Sequence, residues 1–161
     1  RILSALSEIT FQRLLDVGCG SGNLLAAIRR DNPHAYYAGF DIGPDNVEAA
    51  KEKGLENIRE EKGENVATVY AMAPPFDVII FCGILNRQIM DGDSARTILK
   101  KSLTRLAKGG LVIITGYSSC HFCARELKKK GLTVLNKSIP ENIFRDYDEF
   151  YLRQFYVARK D

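Results

Sequence analysis

Short apolar runs alternate with stretches of helical periodicity along this chain, the pattern of a parallel sheet covered on both faces by helices. Leu14 to Val17 is an apolar run broken only by Asp16, Gly18 to Gly22 punctuate it, and Leu24, Leu25 and Ile28 then recur at helical spacing until Pro33. Strand, tight loop and helix are expected there. Ala35 to Asp41 predicts a second strand, and Pro44 is well placed to open a helix running to about Lys53. Ile58 to Lys62 reads as a weaker strand, polar enough for a sheet edge, whereas Asp77 to Cys82 is apolar enough to be central and buried on both faces. Ala95, Leu99, Leu103 and Leu106 form one stripe of a helix expected from Asp93 to Lys108, ended by Gly109 and Gly110. Leu111 to Thr115 is the next buried strand. A helix over Ser119 to Lys130, a strand over Leu132 to Lys137, a loop containing Pro140 and a last strand from Leu152 to Arg159 complete the pattern. Seven strands result, with five to six helices, and no helical pattern joins the last two strands. The final strand is therefore free to run antiparallel.

Composition narrows this reading without redirecting it. A chain of 161 residues, 45% hydrophobic and 27% charged, is expected to fold as one domain over residues 1–161 with a core that needs no disulfide. The net charge of +3 is spread among residues of both signs, so no nucleic-acid or anionic-membrane partner is expected. The longest apolar runs fall far short of the roughly 20 residues a membrane span requires. Cys19, Cys82, Cys120 and Cys123 come without an export signal, so they are read as reduced thiols and the chain as cytoplasmic. The chain opens on Arg1 rather than Met, and an amino-terminal segment beyond it is expected.

The stretch LLDVGCGSG, Leu14 to Gly22, carries most information. A strand delivers Asp16, and Gly18, Gly20 and Gly22 let the backbone turn sharply and approach a ligand before the helix starts. The dinucleotide fingerprint G-x-G-x-x-G does not fit, because the third glycine comes one position early and Asn23 stands where the fingerprint wants Gly. No Lys-Ser or Lys-Thr follows, so it is no P-loop. Asp16-x-Gly18-x-Gly20-x-Gly22 resembles motif I of the class I S-adenosylmethionine-dependent methyltransferases. Asp41, 23 residues after Gly18, falls where that family places the acid that holds the ribose hydroxyls. GLENIREEKGEN is similar to the family's third-strand segment, with Gly63, Glu64 and Asn65 standing for its usual Gly-Asp-Ala. PPFDVIIFCGILN, LAKGGLVIIT and QFYVARK resemble the later strands in order. The resemblance covers the chain from Phe11 onward. It implies a doubly wound α/β fold with a mostly parallel seven-stranded sheet of order 3-2-1-4-5-7-6, strand 7 antiparallel, and helices on both faces.

The same resemblance implies S-adenosyl-L-methionine as cofactor and methyl transfer as activity. Asp16, with the carbonyls of Gly18 or Cys82, is then expected to accept from the cofactor ammonium, and the loop Gly18, Cys19, Gly20 and Gly22 to pass beside it. Asp41 can accept from both ribose hydroxyls. Ile42 can cover an adenine face, Glu64 accept from the adenine amino group, and the amide of Asn65 donate to a ring nitrogen. As a carboxylate on an open rim, Asp41 is not expected to hold the folded chain together.

Catalytic residues are less legible. Small-molecule members of the family often carry His after the fourth strand, where this chain has Asn86. Asn86, Arg87, Tyr117 and His121 share the expected substrate rim, and Asn86, His121 and Tyr117 are the candidates for handling a proton. Cys120 and Cys123 form a CxxC that reads as small packing thiols, with a redox pair or half a zinc site as the sharper alternatives. No metal site is expected. Methyl transfer to a small-molecule acceptor is the activity expected. A non-catalytic, cofactor-binding partner subunit is one alternative, and a nicotinamide-dependent oxidoreductase, disfavoured by the glycine spacing, is the other.

Overall fold

The computed structural model describes the backbone of residues 1–117, 119–137, 143–146 and 149–161, and their side chains except at 117, 143–146 and 149–153. In chain order the elements are α1 (Ile2–Ser7), β1 (Arg13–Val17), α2 (Asn23–Asp31), β2 (Tyr36–Asp41), α3 (Pro44–Glu52), β3 (Ile58–Glu60), a 3₁₀ turn (Gly63–Asn65), α4 (Val66–Val69), β4 (Phe76–Cys82), α5 (Gly92–Thr104), β5 (Leu106–Tyr117), α6 (Ala124–Lys128), β6 (Leu132–Lys137), β7 (Ile143–Asp146) and β8 (Glu149–Lys160). The main sheet runs β3-β2-β1-β4-β5-β8-β6. β1 to β5 pair in parallel, while β8 runs antiparallel to both β5 and β6. Apart from β7, which pairs only with β8, this is the order 3-2-1-4-5-7-6 with an antiparallel seventh strand. No helix among the described residues is long and apolar enough to cross a membrane.

The continuous apolar runs are explained by burial on both faces of the sheet. Leu14, Val78, Ile80 and Ile113 pack on one side with Leu25, Val47 and Phe155. Leu15, Val17, Ile79, Phe81 and Ile114 pack on the other with Leu99 and Leu127. Strand order reverses between β1 and β4, so their carboxyl ends diverge into a crevice, the place where open α/β sheets bind ligands.

Three elements differ from the sequence pattern. The helical stripe does not continue to Lys108: α5 stops at Thr104, and Leu106 opens β5. The Phe76 amide donates to the Arg105 carbonyl at 2.8 Å, and the Lys160 ammonium donates to the carbonyls of Leu103 and Leu106. Leu106 keeps the spacing of the stripe and changes element all the same. The helix expected over Ser119 to Lys130 is only α6, because residues 119–121 pair with the loop after β4 instead, through an Asn86–Cys120 bridge. Finally, β8 is longer than Leu152 to Arg159 and pairs with β7, a strand the pattern does not announce. The Pro140 loop lies outside the described residues.

Candidate functional site

The glycine loop is built by three positive backbone torsions, φ 72° at Gly18, 52° at Gly20 and 74° at Gly22. L-residues pay about 1–2 kcal/mol for such a conformation, which is why the loop is glycine at alternate positions. Each glycine has a different neighbour. A Cβ on Gly18 would collide with Cγ2 of Ile84, one on Gly22 would stand 2.5 Å from Leu55 Cδ1 and 2.9 Å from Ala50 Cβ, and one on Gly20 would meet nothing within 4 Å. Gly22 thus lets α2 start against α3, while Gly20 opens onto free space. The amides of Gly18 and Cys19 both donate to the Phe40 carbonyl at 3.0 Å, which pins the loop to the end of β2. The Cys19 thiol is buried in the core and donates to the Gly20 carbonyl at 3.6 Å.

At the divergent strand ends lies a cleft of about 460 Å³, a size suited to a small ligand. Gly18, Asp41, Ile42 and Glu64 line it. Ile42 is 70% exposed, an apolar side chain standing at the rim with no core partner. Glu64 belongs to the 3₁₀ turn, whose position is fixed by the Lys101 ammonium donating to the Glu64 carbonyl at 2.7 Å. The far wall was missed from sequence: Ile84, Met90 and Ile98 face the cleft, with Glu61 and Lys62 at its edge. Ile98 lies three residues beyond Ala95 on the apolar face of α5, a spacing that marks burial and not which cavity is filled.

Asn65 departs from expectation. Its amide donates to the Lys62 carbonyl at 3.0 Å and its side chain to Glu61 Oε1 at 2.8 Å, so the amide closes the turn rather than facing a ligand. That bond from Asn65, followed by the Lys62 amide, holds the Glu61 carboxyl below its ordinary value. Asp41 departs too, since it is no idle rim carboxylate. Oδ2 accepts from the Gly20 amide at 2.8 Å, and Oδ1 accepts from the Gly43 amide at 2.9 Å and from Asn46 Nδ2 at 3.0 Å. It ties the glycine loop to the start of α3. A carboxylate offers about four acceptor positions, so one direction is left.

Asp16 is 1% exposed, in register between Gly39 and Ile80, and its Oδ1 has no hydrogen-bond partner. Burial first, and the Asp41 carboxylate second, push its carboxyl from 3.8 up to about 7. The same burial, followed by the charges of Asp16 and Asp41, pushes the Cys19 thiol up to about 12. Cys82 ends β4 on the exposed rim, one residue before the positive-φ turn at Gly83.

Two of the three proton-handling candidates have described side chains, and each is held by a backbone carbonyl. Asn86 is 1% exposed, and its amide donates to the Gly83 carbonyl at 2.8 Å. It closes the turn after β4. His121 bonds the Met90 carbonyl through Nε2 at 2.8 Å; since a carbonyl only accepts, Nε2 carries the proton. Its own amide donates to the Leu85 carbonyl. His121 thereby holds the segment that carries Met90 against the cleft. The Tyr117 side chain lies outside the described residues. Of the CxxC pair, Cys120 is buried in the core and Cys123 caps α6, its amide accepted by Glu126.

An open parallel sheet with a glycine loop and an acid-lined cleft at its switch point defines a doubly wound ligand-binding α/β domain. A family model described as methyltransferase domain matches residues 12–150, and the chain belongs to that family, with the sheet order of the class I S-adenosylmethionine-dependent methyltransferases. It is 27% identical over 113 residues to a trans-aconitate 2-methyltransferase of Rhodococcus jostii strain RHA1, covering 70% of this chain and 41% of that protein. It is 34% identical over 116 residues to a ribosomal RNA small subunit methyltransferase C of Salmonella choleraesuis strain SC-B67, covering 68% and 32%. The chain thus spans less than half the length of these relatives. A crystal structure of an S-adenosylmethionine-dependent methyltransferase from Clostridium acetobutylicum ATCC 824 shares the fold at a TM-score of 0.76 and 17% identity, covering 99% of this chain and 89% of that one.

Proposed function

We propose that the domain binds S-adenosylmethionine in this cleft and transfers its methyl group to a small-molecule acceptor. The observation that carries the reading is the partnerless Oδ1 of buried Asp16 beside a glycine loop, an acceptor short of one donor. The residues suit each part of such a cofactor. Asp16 offers an acceptor for an ammonium, the open direction of Asp41 one for a ribose hydroxyl, and Glu64 one for an adenine amino group. Ile42 and Ile98 offer apolar cover for the ring. Asn65 has no part in this arrangement.

When bound, S-adenosylmethionine supplies an activated methyl group on a sulfonium. The protein's share is positioning and exclusion of water, which Ile84, Met90 and Ile98 favour as an apolar wall. Asn86 has no basic group and His121 is not among the residues lining the cleft, so the reading favours an acceptor that arrives ionised, such as a carboxylate. The trans-aconitate relative supports that class. The ribosomal RNA relative supports a second reading, an RNA acceptor.

Titration calorimetry tests the cofactor, with S-adenosylhomocysteine expected to bind and NADH to give no heat; the reverse would restore the oxidoreductase reading. Transfer of labelled methyl to small organic acids, and not to ribosomal subunits, is expected of the full-length protein. Labelled subunits alone would establish the RNA reading. Binding without transfer to either would favour the partner-subunit alternative.

A further inference from the structure

Burial alternates along residues 120–122: Cys120 and Phe122 lie in the core, and His121 between them is half-buried. In extended chain, neighbouring side chains point to opposite sides, so the two buried anchors aim the imidazole away from the core. The backbone fixes it further. The His121 amide donates to the Leu85 carbonyl at 2.9 Å, the Arg87 amide donates to the Ser119 carbonyl at 3.1 Å, and Asn86 and Cys120 form an antiparallel bridge. From this short ladder the ring reaches the Met90 carbonyl at 2.8 Å through Nε2, and its Nδ1 lies beside Gly92, the first residue of α5, 3.5 Å from where a Cβ would stand.

Met90 occupies a junction. Its amide donates to the Asn86 carbonyl at 3.1 Å and closes the loop after β4, while the next residue, Asp91, caps α5 by accepting from the amides of Asp93 and Ser94. Met90, Ser94 and Ile98 all line the cleft. The donor that holds the Met90 carbonyl thus fixes the peptide at which the loop wall of the cleft ends and its helical wall begins.

We propose that His121 is a positioning residue for cofactor binding, which acts from outside the cleft by presenting one N–H to the Met90 carbonyl and so setting the Met90 side chain against the ligand. The inference rests on the cofactor reading above and adds to it a residue that does not line the cleft. What matters is the donor, not the bulk of the ring. A packing role has the opposite requirement, and two substitutions separate them. His121→Gln keeps an amide N–H at similar reach and loses the ring, whereas His121→Phe keeps the ring's volume and loses the donor.

Calorimetry with S-adenosylhomocysteine should find the Gln variant close to the parent and the Phe variant weaker by about three- to tenfold, the usual worth of one neutral hydrogen bond. Met90→Ala should weaken binding too, and adding His121→Phe to it should cost little more, because both act through the same side chain. The chain has two methionines, and Met72 is 97% exposed, so carbon-13 methyl labelling gives a reporter and an internal reference. Ligand should shift the Met90 signal and leave Met72 in place. The unliganded Met90 signal should move in the Phe variant and stay in the Gln variant. Nitrogen-15 spectra of the parent at pH 8 need no substitution, and should place the His121 proton on Nε2.

A Phe variant that binds like the parent, or a Gln variant that does not, overturns the proposal in favour of packing. So does a proton on Nδ1, full additivity of Met90→Ala and His121→Phe, or ligand bound without a shift at Met90. If S-adenosylhomocysteine gives no heat with the parent, the cofactor reading fails and the role of His121 falls with it.

Discussion

Replacing Asp41 by Ala probes the point where structure and sequence part most sharply. The carboxylate accepts from Gly20, Gly43 and Asn46, so the change leaves two backbone amides and one side-chain amide without an acceptor. Hydrogen bonds to a charged group are worth about 1.5–3 kcal/mol each. The site is half-exposed and water returns part of that, so the net loss of unliganded stability should be about 1–3 kcal/mol. For a domain of this size that corresponds to a melting midpoint lower by about 3–10 °C. Losing the ribose acceptor and the anchor of the loop together should weaken S-adenosylhomocysteine binding by about tenfold to several hundredfold. Asp41→Asn keeps one acceptor oxygen and should fall between. Thermal unfolding without ligand and calorimetry with it separate the two effects. An Ala variant as stable as the parent would refute the argument that Asp41 staples the loops, and unchanged ligand affinity would refute its place in the cleft.

Gly22→Ala places a methyl group on a φ of 74° and within 2.9 Å of Ala50 Cβ, so it should cost about 2–4 kcal/mol in urea unfolding; a loss under about 0.5 kcal/mol would contradict the packing of α2 on α3. Asp16 has a folded pKa above its ordinary 3.8, so the folded chain holds the proton more tightly and the stabilisation is full below 3.8 and lost as pH rises through about 7. Asp16→Asn should therefore gain on the parent between pH 5.5 and pH 8 in urea titrations of unliganded protein, and a parent that gains instead would show Asp16 to be ionised and stabilised when folded. Replacing Cys120 and Cys123 together by Ala should cost about 1–2 kcal/mol and leave S-adenosylhomocysteine affinity within a few fold by calorimetry. Stoichiometric zinc lost in the double variant would show the pair misread.

Much of the architecture is legible because burial on both faces writes continuous apolar runs such as Val78 to Phe81, and positive torsions write glycines at 18, 20 and 22. Competition between elements is not written so plainly. Leu106 satisfies the helical stripe of α5 and is claimed by β5, because pairing with Phe76 outweighs one more helical turn. Residues 119–121 look helical and pair with the loop after β4, a contact between segments over thirty residues apart. In the site, residue types point to the correct strand ends, but hydrogen-bond partners decide their roles. Asp41 is spent largely on amides, Asn65 on Lys62 and Glu61, and Asn86 on Gly83. The apolar wall of Ile84, Met90 and Ile98 comes from three separate stretches of chain and exists only once the sheet is folded.

A crystal structure of the domain with S-adenosylhomocysteine tests the central claim most directly. The account predicts the ligand in the cleft beside Gly18, with its ammonium within hydrogen-bond distance of Asp16, a ribose hydroxyl on Asp41 and the adenine near Ile42 and Glu64. Ligand bound instead in the separate cleft between α1 and α2, lined by Leu3, Phe11 and Asn32, would contradict it.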